Sequence, residues 1–117
     1  MGDNGVKLIV IDDDPDVRST VAGFLVDAGY CVVEAEGGAQ ALAMLNEHAS
    51  LRMMISDIRM PNMSGIELAE QAVRQHPKLR VILISGFTDQ PHKWPFLKKP
   101  FRSSTLCNLV AREMMRA

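Results

Sequence analysis

The amino-acid sequence predicts a doubly wound α/β fold: a five-stranded parallel sheet with helices on both faces and the fourth helix missing or reduced. Three observations lead there. Short apolar runs alternate with stretches of helical spacing along the 117 residues, the β-α-β-α order of a parallel sheet. The runs are almost continuously apolar, as in strands covered on both faces, where a half-exposed strand would alternate. They also stop on chemically capable residues. Asp12-Asp13, Asp57, Ser85 and Lys99 stand at strand ends, the edge where open α/β sheets bind ligands.

The first strand, Val6 to Ile11, is interrupted only by Lys7 and stops at three aspartates. Pro15 suits a first helical position, with Asp14 as N-cap and Asp16 favourable in the first turn. Val17, Val21, Phe24, Leu25 and Ala28 keep helical spacing up to Gly29, a good helix stop. Cys31 to Ala35 reads as the second strand, and Gly37-Gly38 as the turn into a helix over 39–48 with Ala41, Leu42, Leu45 and Ala49 inward. Arg52 to Ser56 is the third strand and delivers Asp57, followed by a Pro61-Asn62 turn. Ser64 and Glu67 make a capping box for the third helix, which carries Ile66, Leu68, Ala72 and Val73 to a stop near His76-Pro77.

Arg80 to Ile84 is the fourth strand and Phe96 to Lys98 a short fifth; Ser103 is expected to cap a last helix with Leu106, Leu109, Val110 and Met114 on one side. Only ten residues separate Ser85 from Phe96, and Pro91 and Pro95 are among them. A parallel crossover that contains a helix needs at least ~10–12 residues, so the fourth helix has almost no room.

This length fits one domain, residues 1–117, with a single sizeable core. A net charge of −1 gives no nucleic-acid or membrane-surface signal. No apolar run approaches the ~20 residues of a membrane span, and the polar Met-Gly-Asp-Asn start lacks a signal-peptide layout. A cytoplasmic protein without direct nucleic-acid or membrane binding is the expectation. Charge is uneven, however: residues 1–36 hold eight acids against two bases, and residues 93–117 six bases against one acid. A solvated face explains the basic end, and a partner-facing surface is the alternative. Cys31 and Cys107 read as reduced, mostly buried thiols, and His48, His76 and His92 as scattered surface residues without metal-ligand spacing.

In a parallel sheet the carboxyl ends of the first, third, fourth and fifth strands bring Asp12, Asp13, Asp57, Ser85 and Lys99 into one crevice. Three crowded carboxylates repel one another, with Lys99 the only nearby relief. A divalent cation relieves them too, and an all-oxygen site that keeps several waters suits Mg²⁺. With that charge screened, Asp57 can attack an electron-rich phosphorus, while Lys99 and the Ser85 hydroxyl suit the phosphoryl oxygens. An acid triplet after the first strand repels phosphate and so argues against a flavin-phosphate loop.

Four stretches together resemble the receiver domain of two-component response regulators. They are Ile-Val-Ile-Asp-Asp-Asp-Pro (residues 9–15), Asp57-x-x-Met60-Pro61-x-Met63-x-Gly65, Ile82-Leu-Ile-Ser85-Gly86 and Phe96-Leu-Lys-Lys99-Pro100-Phe101. The resemblance implies a flavodoxin-like sheet of order 2-1-3-4-5. It implies that Asp57 is the phospho-acceptor and that Asp12 and Asp13 are the acid pair for Mg²⁺. Asp13, Asp57 and the backbone carbonyl of Arg59 would ligate the ion directly. Ser85 would be the switch hydroxyl, Lys99 the phosphate-binding lysine and Phe96 the gating aromatic, unless Phe96 is simply packed in the core.

The implied donor is the phosphohistidine of a sensor histidine kinase or of a histidine phosphotransfer protein. The short 86–95 link departs from the family, in which the fourth and fifth helices carry output. Output through the first helix or the basic last helix is the expectation here. Arg59 and Phe87, each two residues beyond a site residue, should flank the phosphoryl group and slow its hydrolysis.

Two other classes compete. A receiver-like module that binds without phosphate has no need of three crowded acids, which the sequence retains. A phosphatase of the haloacid-dehalogenase type wants Asp-x-Asp-x-Thr/Val after the first strand. Here Asp16 occupies the last of those positions, and the chain has no room for a cap.

Overall fold

The computed structural model describes residues 7–87 and 93–116. Its elements run β1 (Lys7–Ile11), α1 (Pro15–Asp27), β2 (Cys31–Ala35), α2 (Gly38–Glu47), β3 (Leu51–Asp57), α3 (Gly65–Gln75), β4 (Arg80–Ser85), β5 (Phe96–Lys98) and α4 (Ser103–Met114). The five strands form one parallel sheet of order β2-β1-β3-β4-β5, so the fold is flavodoxin-like, as expected. Among the described residues there are four helices and none between β4 and β5; Pro91 and the middle of that link lie outside them, as does Val6.

Each strand shows one set of side chains to each side, and the sheet divides two cores. Ile9, Ile11, Met54 and Leu83 pack against Ala41 and Leu45 of α2 and Leu68, Ala69 and Ala72 of α3. On the other face Leu8, Val10, Ile55 and Ile82 pack against Val21 and Leu25 of α1 and Leu106 and Val110 of α4. This double burial is why the strands read as unbroken apolar runs. The register between β1 and β3 slips by one residue at Arg52: Lys7 pairs with Leu51, but Leu8 pairs with Met53. Such a bulge re-aims the extra side chain, and Arg52 is exposed.

The side-chain caps expected for α1 and α3 are both formed. The Asp14 carboxylate accepts from the backbone N–H of Asp16 and Val17 at 2.9 and 3.3 Å, ahead of Pro15. Ser64 and Glu67 form both halves of their capping box. Gly29 adopts φ +101° and ends α1 as a left-handed residue. The last helix differs. Its N-cap is Arg102, without a side-chain cap bond, and Ser103 is already helical because Leu106 N–H closes the first turn on the Arg102 carbonyl.

Ala28, which keeps the helical spacing, and Ala49, expected inward, are both exposed. Ala28 lies past the end of α1 as its C-cap, and Ala49 follows His48, whose φ of −120° takes the chain out of α2. Cys31 and Cys107 are half-buried thiols outside any disulfide among the described residues. His48 and His76 are half-buried as well, and the His76 ring hydrogen-bonds the Asn46 amide oxygen at 3.0 Å.

Candidate functional site

Five residues named from the strand ends meet at the carboxyl edge of the sheet. Asp12 follows β1, Asp57 closes β3, Ser85 closes β4 and Lys99 follows β5. The carboxylates of Asp12, Asp13 and Asp57 each place an oxygen within 4.8 Å of the others. Lys99 reaches into this group: its Nζ lies 3.5 Å from Oδ1 of Asp57 and 3.7 Å from Oδ2 of Asp12. The lysine is held there by the sheet, because its backbone N–H donates to the Ser85 carbonyl at 2.9 Å. Ser85 is 1% exposed, and its Oγ accepts the N–H of Phe87 at 3.1 Å.

The electrostatics are those of acids forced together in a partly dry crevice. Burial is the largest influence on Asp57 and pushes its carboxyl up to about 6; the neighbouring Asp12 charge adds to this, and Lys99 opposes both. Burial also raises Asp12, against the N–H of Asp14, which donates to its Oδ1 at 3.0 Å, and against Lys99. One lysine does not neutralise three carboxylates. A hard divalent cation with oxygen ligands suits this donor set, and Mg²⁺ among such ions keeps waters where a fully enclosing cage is lacking.

Several supports were not read from the sequence. Arg18 of α1 donates from Nη1 to the Asp12 carbonyl at 2.8 Å and from Nε to Glu34 at 3.1 Å, pinning the acid loop to α1 and β2. Its only sequence signal is a base four residues, about one helical turn, beyond the acid triplet. Ser56 is fully buried beside the acceptor, and its hydroxyl donates to the Asp57 carbonyl at 2.9 Å. Gly65 lies so close that a Cβ there would stand 2.3 Å from the Asp57 carbonyl oxygen, while its N–H donates to the Ile58 carbonyl at 2.8 Å.

Arg59 and Phe87 do meet, the guanidinium lying over the ring. Phe96 is 38% exposed on the short edge strand and so is not a core residue. His48 and His76 stand apart from the acids, and His92 lies outside the described residues.

Comparison with known proteins agrees with the geometry. The response regulator receiver domain family matches residues 8–111. The response regulator receiver protein CpdR of Brucella abortus is 33% identical, over 95% of this chain and 98% of its own. The DNA-binding transcriptional regulator NtrC of Escherichia coli is also 33% identical, but this chain spans only 24% of it. Among solved structures, the receiver domain of the hybrid histidine kinase CckA has a TM-score of 0.83 at 31% identity, covering 93% of this chain and 99% of that one. The receiver domain of NtrX from Brucella abortus has a TM-score of 0.86 at 29% identity, covering 94% and 99%. A family match over residues 8–111, on a sheet that gathers its acids at the carboxyl edge, places this chain in the family of response regulator receiver domains.

Proposed function

We propose that this chain accepts a phosphoryl group on Asp57 from the phosphohistidine of a sensor histidine kinase or of a histidine phosphotransfer protein. The observation that carries the reading is the bridging position of Lys99 between Asp57 and Asp12, beside a third carboxylate and the Ser85 hydroxyl.

Asp12, Asp13 and Asp57, with the backbone carbonyl of Arg59, hold Mg²⁺ in this reading, and the ion supplies charge neutralisation for an incoming phosphoryl group. The Asp57 carboxylate oxygen attacks phosphorus as the P–N bond to the donor imidazole breaks and its electron pair returns to the ring nitrogen. Lys99 and the Ser85 hydroxyl hold the phosphoryl oxygens, so the charge that develops there meets fixed donors. Ser85 then acts as the switch residue: drawn to the phosphoryl group, it favours one packing of the β4–β5 side over another. Phe96, on the adjoining edge strand, takes part in that change.

The chain in this reading is a signalling switch acting in the cytoplasm on a protein partner. Its only chemistry is its own phosphorylation and slow hydrolysis, and nucleic acid and membrane are not its ligands. Among the described residues no helix is long and apolar enough to cross a membrane.

Intact mass after incubation with a small phosphodonor and Mg²⁺ tests it. Gain of one phosphoryl group by the wild type and none by Asp57→Asn is expected. A folded wild type that gains nothing from the phosphodonor, nor from any of a panel of histidine kinases, returns the question to a phosphate-independent module.

A further inference from the structure

The other end of the sheet carries a second feature. At the amino ends of β3 and β4, beneath the ends of α3 and α4, an open groove of about 990 Å³ runs between the segments that begin at Ala49, Gln75 and Met114. Its apolar surface comes from Leu51, Leu79 and Met114, the first two 8% exposed and the last half-buried. Four cations line it as well: Arg52, Lys78, Arg80 and Arg116.

Among the described residues those four charges meet no lining carboxylate. Arg116 pairs with the nearby Glu113 at 2.8 Å, and the Arg80 guanidinium donates to the Arg116 carbonyl, tying β4 to the end of the last helix. Arg52 and Lys78 remain, both exposed and neither paired with a carboxylate among the described residues. Arg52 faces outward because it is the bulged residue of β3, so a local break in strand register brings a guanidinium to the groove.

We propose that this groove is a docking site for an acidic segment of a partner protein, its carboxylates set against Arg52 and Lys78 and an apolar side chain on Leu79 and Met114. Charge complementarity chooses the partner. A net cationic rim around an apolar floor favours a chain that alternates acids with apolar residues. A small anion would leave the floor uncovered, and double-stranded nucleic acid would meet only a short patch of cations. Arg116, from the basic end of the sequence, joins the basic starts of β3 and β4 here, at the opposite edge from Asp57.

The site is independent of the phosphorylation chemistry, and its test can be read without Asp57. The ¹⁵N-labelled full chain would be titrated with the peptide Glu-Leu-Glu-Glu-Leu-Glu, with its Lys-for-Glu counterpart, and with pyrophosphate. The acidic peptide should shift amides at Arg52, 75–80 and 114–116, with affinity falling as salt rises. Reversing two exposed charges, Arg52→Glu with Lys78→Glu, should weaken it about tenfold while far-ultraviolet circular dichroism stays unchanged. Asp57→Asn should bind the peptide as the wild type does. Shifts elsewhere, equal binding of the lysine peptide, pyrophosphate binding alone, or full affinity in the folded double variant would each overturn the proposal. Should the double variant lose its fold, Lys78→Ala with Arg52→Ala, read by the same titration, decides the matter.

Discussion

The guanidinium of Arg59 lies 4.1 Å above the ring centre of Phe87, so the segments leaving β3 and β4 are joined across the mouth of the crevice. Cation–π contacts of this kind contribute about 0.5–1 kcal/mol where water reaches them. The pair stands two residues beyond Asp57 on one side and two beyond Ser85 on the other, and in the proposed function its bulk would restrict the approach of water. Phe87→Ala should shorten the lifetime of the phosphorylated protein severalfold, and Arg59→Ala should do the same. The backbone N–H of Phe87 that bonds Ser85 is kept in the first variant. Loss of the phosphoryl group followed by intact mass measures this, and an unchanged rate in both variants would remove the steric role.

Lys99 touches two acids at once, and its removal has two opposite effects. Lys99→Ala takes away a positive charge 3.5 Å from the Asp57 carboxylate and 3.7 Å from that of Asp12. The phosphorylation rate from a small donor should fall by about a hundredfold, the loss of a positioned charge on the transferring group. Mg²⁺ should bind more tightly at the same time, since the cation no longer shares the acids with an ammonium. Calorimetric titration beside the kinetic assay separates the two; equal losses in both would point to a collapsed site.

The raised carboxyl of Asp57 gives the metal-free protein an unusual pH dependence. An acid held at about 6 in the fold and near 3.8 when unfolded binds more protons in the folded state between those values. Its contribution is therefore greatest below pH ~4 and is lost as pH rises towards 6, the reverse of an ion-paired aspartate. At ~1.4 kcal/mol per pH unit the change is at most about 3 kcal/mol, less whatever solvent screening removes. In chelator, Asp57→Asn should be more stable than wild type at pH 7.5, with the gap closing below pH 4. Mg²⁺ should narrow the gap at pH 7.5. Denaturant melts at the two pH values would show it, and a gap that widens in acid would contradict the electrostatic account.

Arg18 positions the acid loop without touching the acceptor. Its side chain holds the Asp12 carbonyl and Glu34 together, mostly out of solvent at 16% exposure. Arg18→Ala should cost about 1–2 kcal/mol in stability and weaken Mg²⁺ binding severalfold. Arg18→Lys should restore little of the affinity, because an ammonium lacks the fork that reaches two acceptors in fixed directions. Glu34→Gln, altering an exposed partner, should leave both nearly unchanged. Metal affinity equal to wild type in Arg18→Ala would reduce the residue to a packing role.

The fold and the meeting of the acids were legible because strands covered on both faces announce themselves as apolar runs, and their ends follow. Asp57, Ser85 and Lys99 are each the residue at which a run stops. What escaped was tertiary. Arg18 reaches a backbone carbonyl, a partner with no side-chain signature, and Arg52 owes its direction to a register slip that no periodicity shows. Ser103 misled for a local reason: a serine before a helical pattern reads as a cap, yet here the turn closes one residue earlier on Arg102. Ser56 reads only as a strand residue, while in the fold its hydroxyl braces the acceptor's carbonyl.

Gly65 carries a mechanical consequence. The first residue of α3 rests against the Asp57 carbonyl with no space for a side chain and is hydrogen-bonded to Ile58, so the acceptor's backbone and α3 form one stiff wall. Any added charge on Asp57 therefore meets an unyielding surface on that side. The opposite side is bounded by a three-residue strand and by the half-exposed Phe87, and is the softer of the two. The crevice is built like a vice with one fixed jaw, and in the proposed function displacement on phosphorylation should travel towards the other.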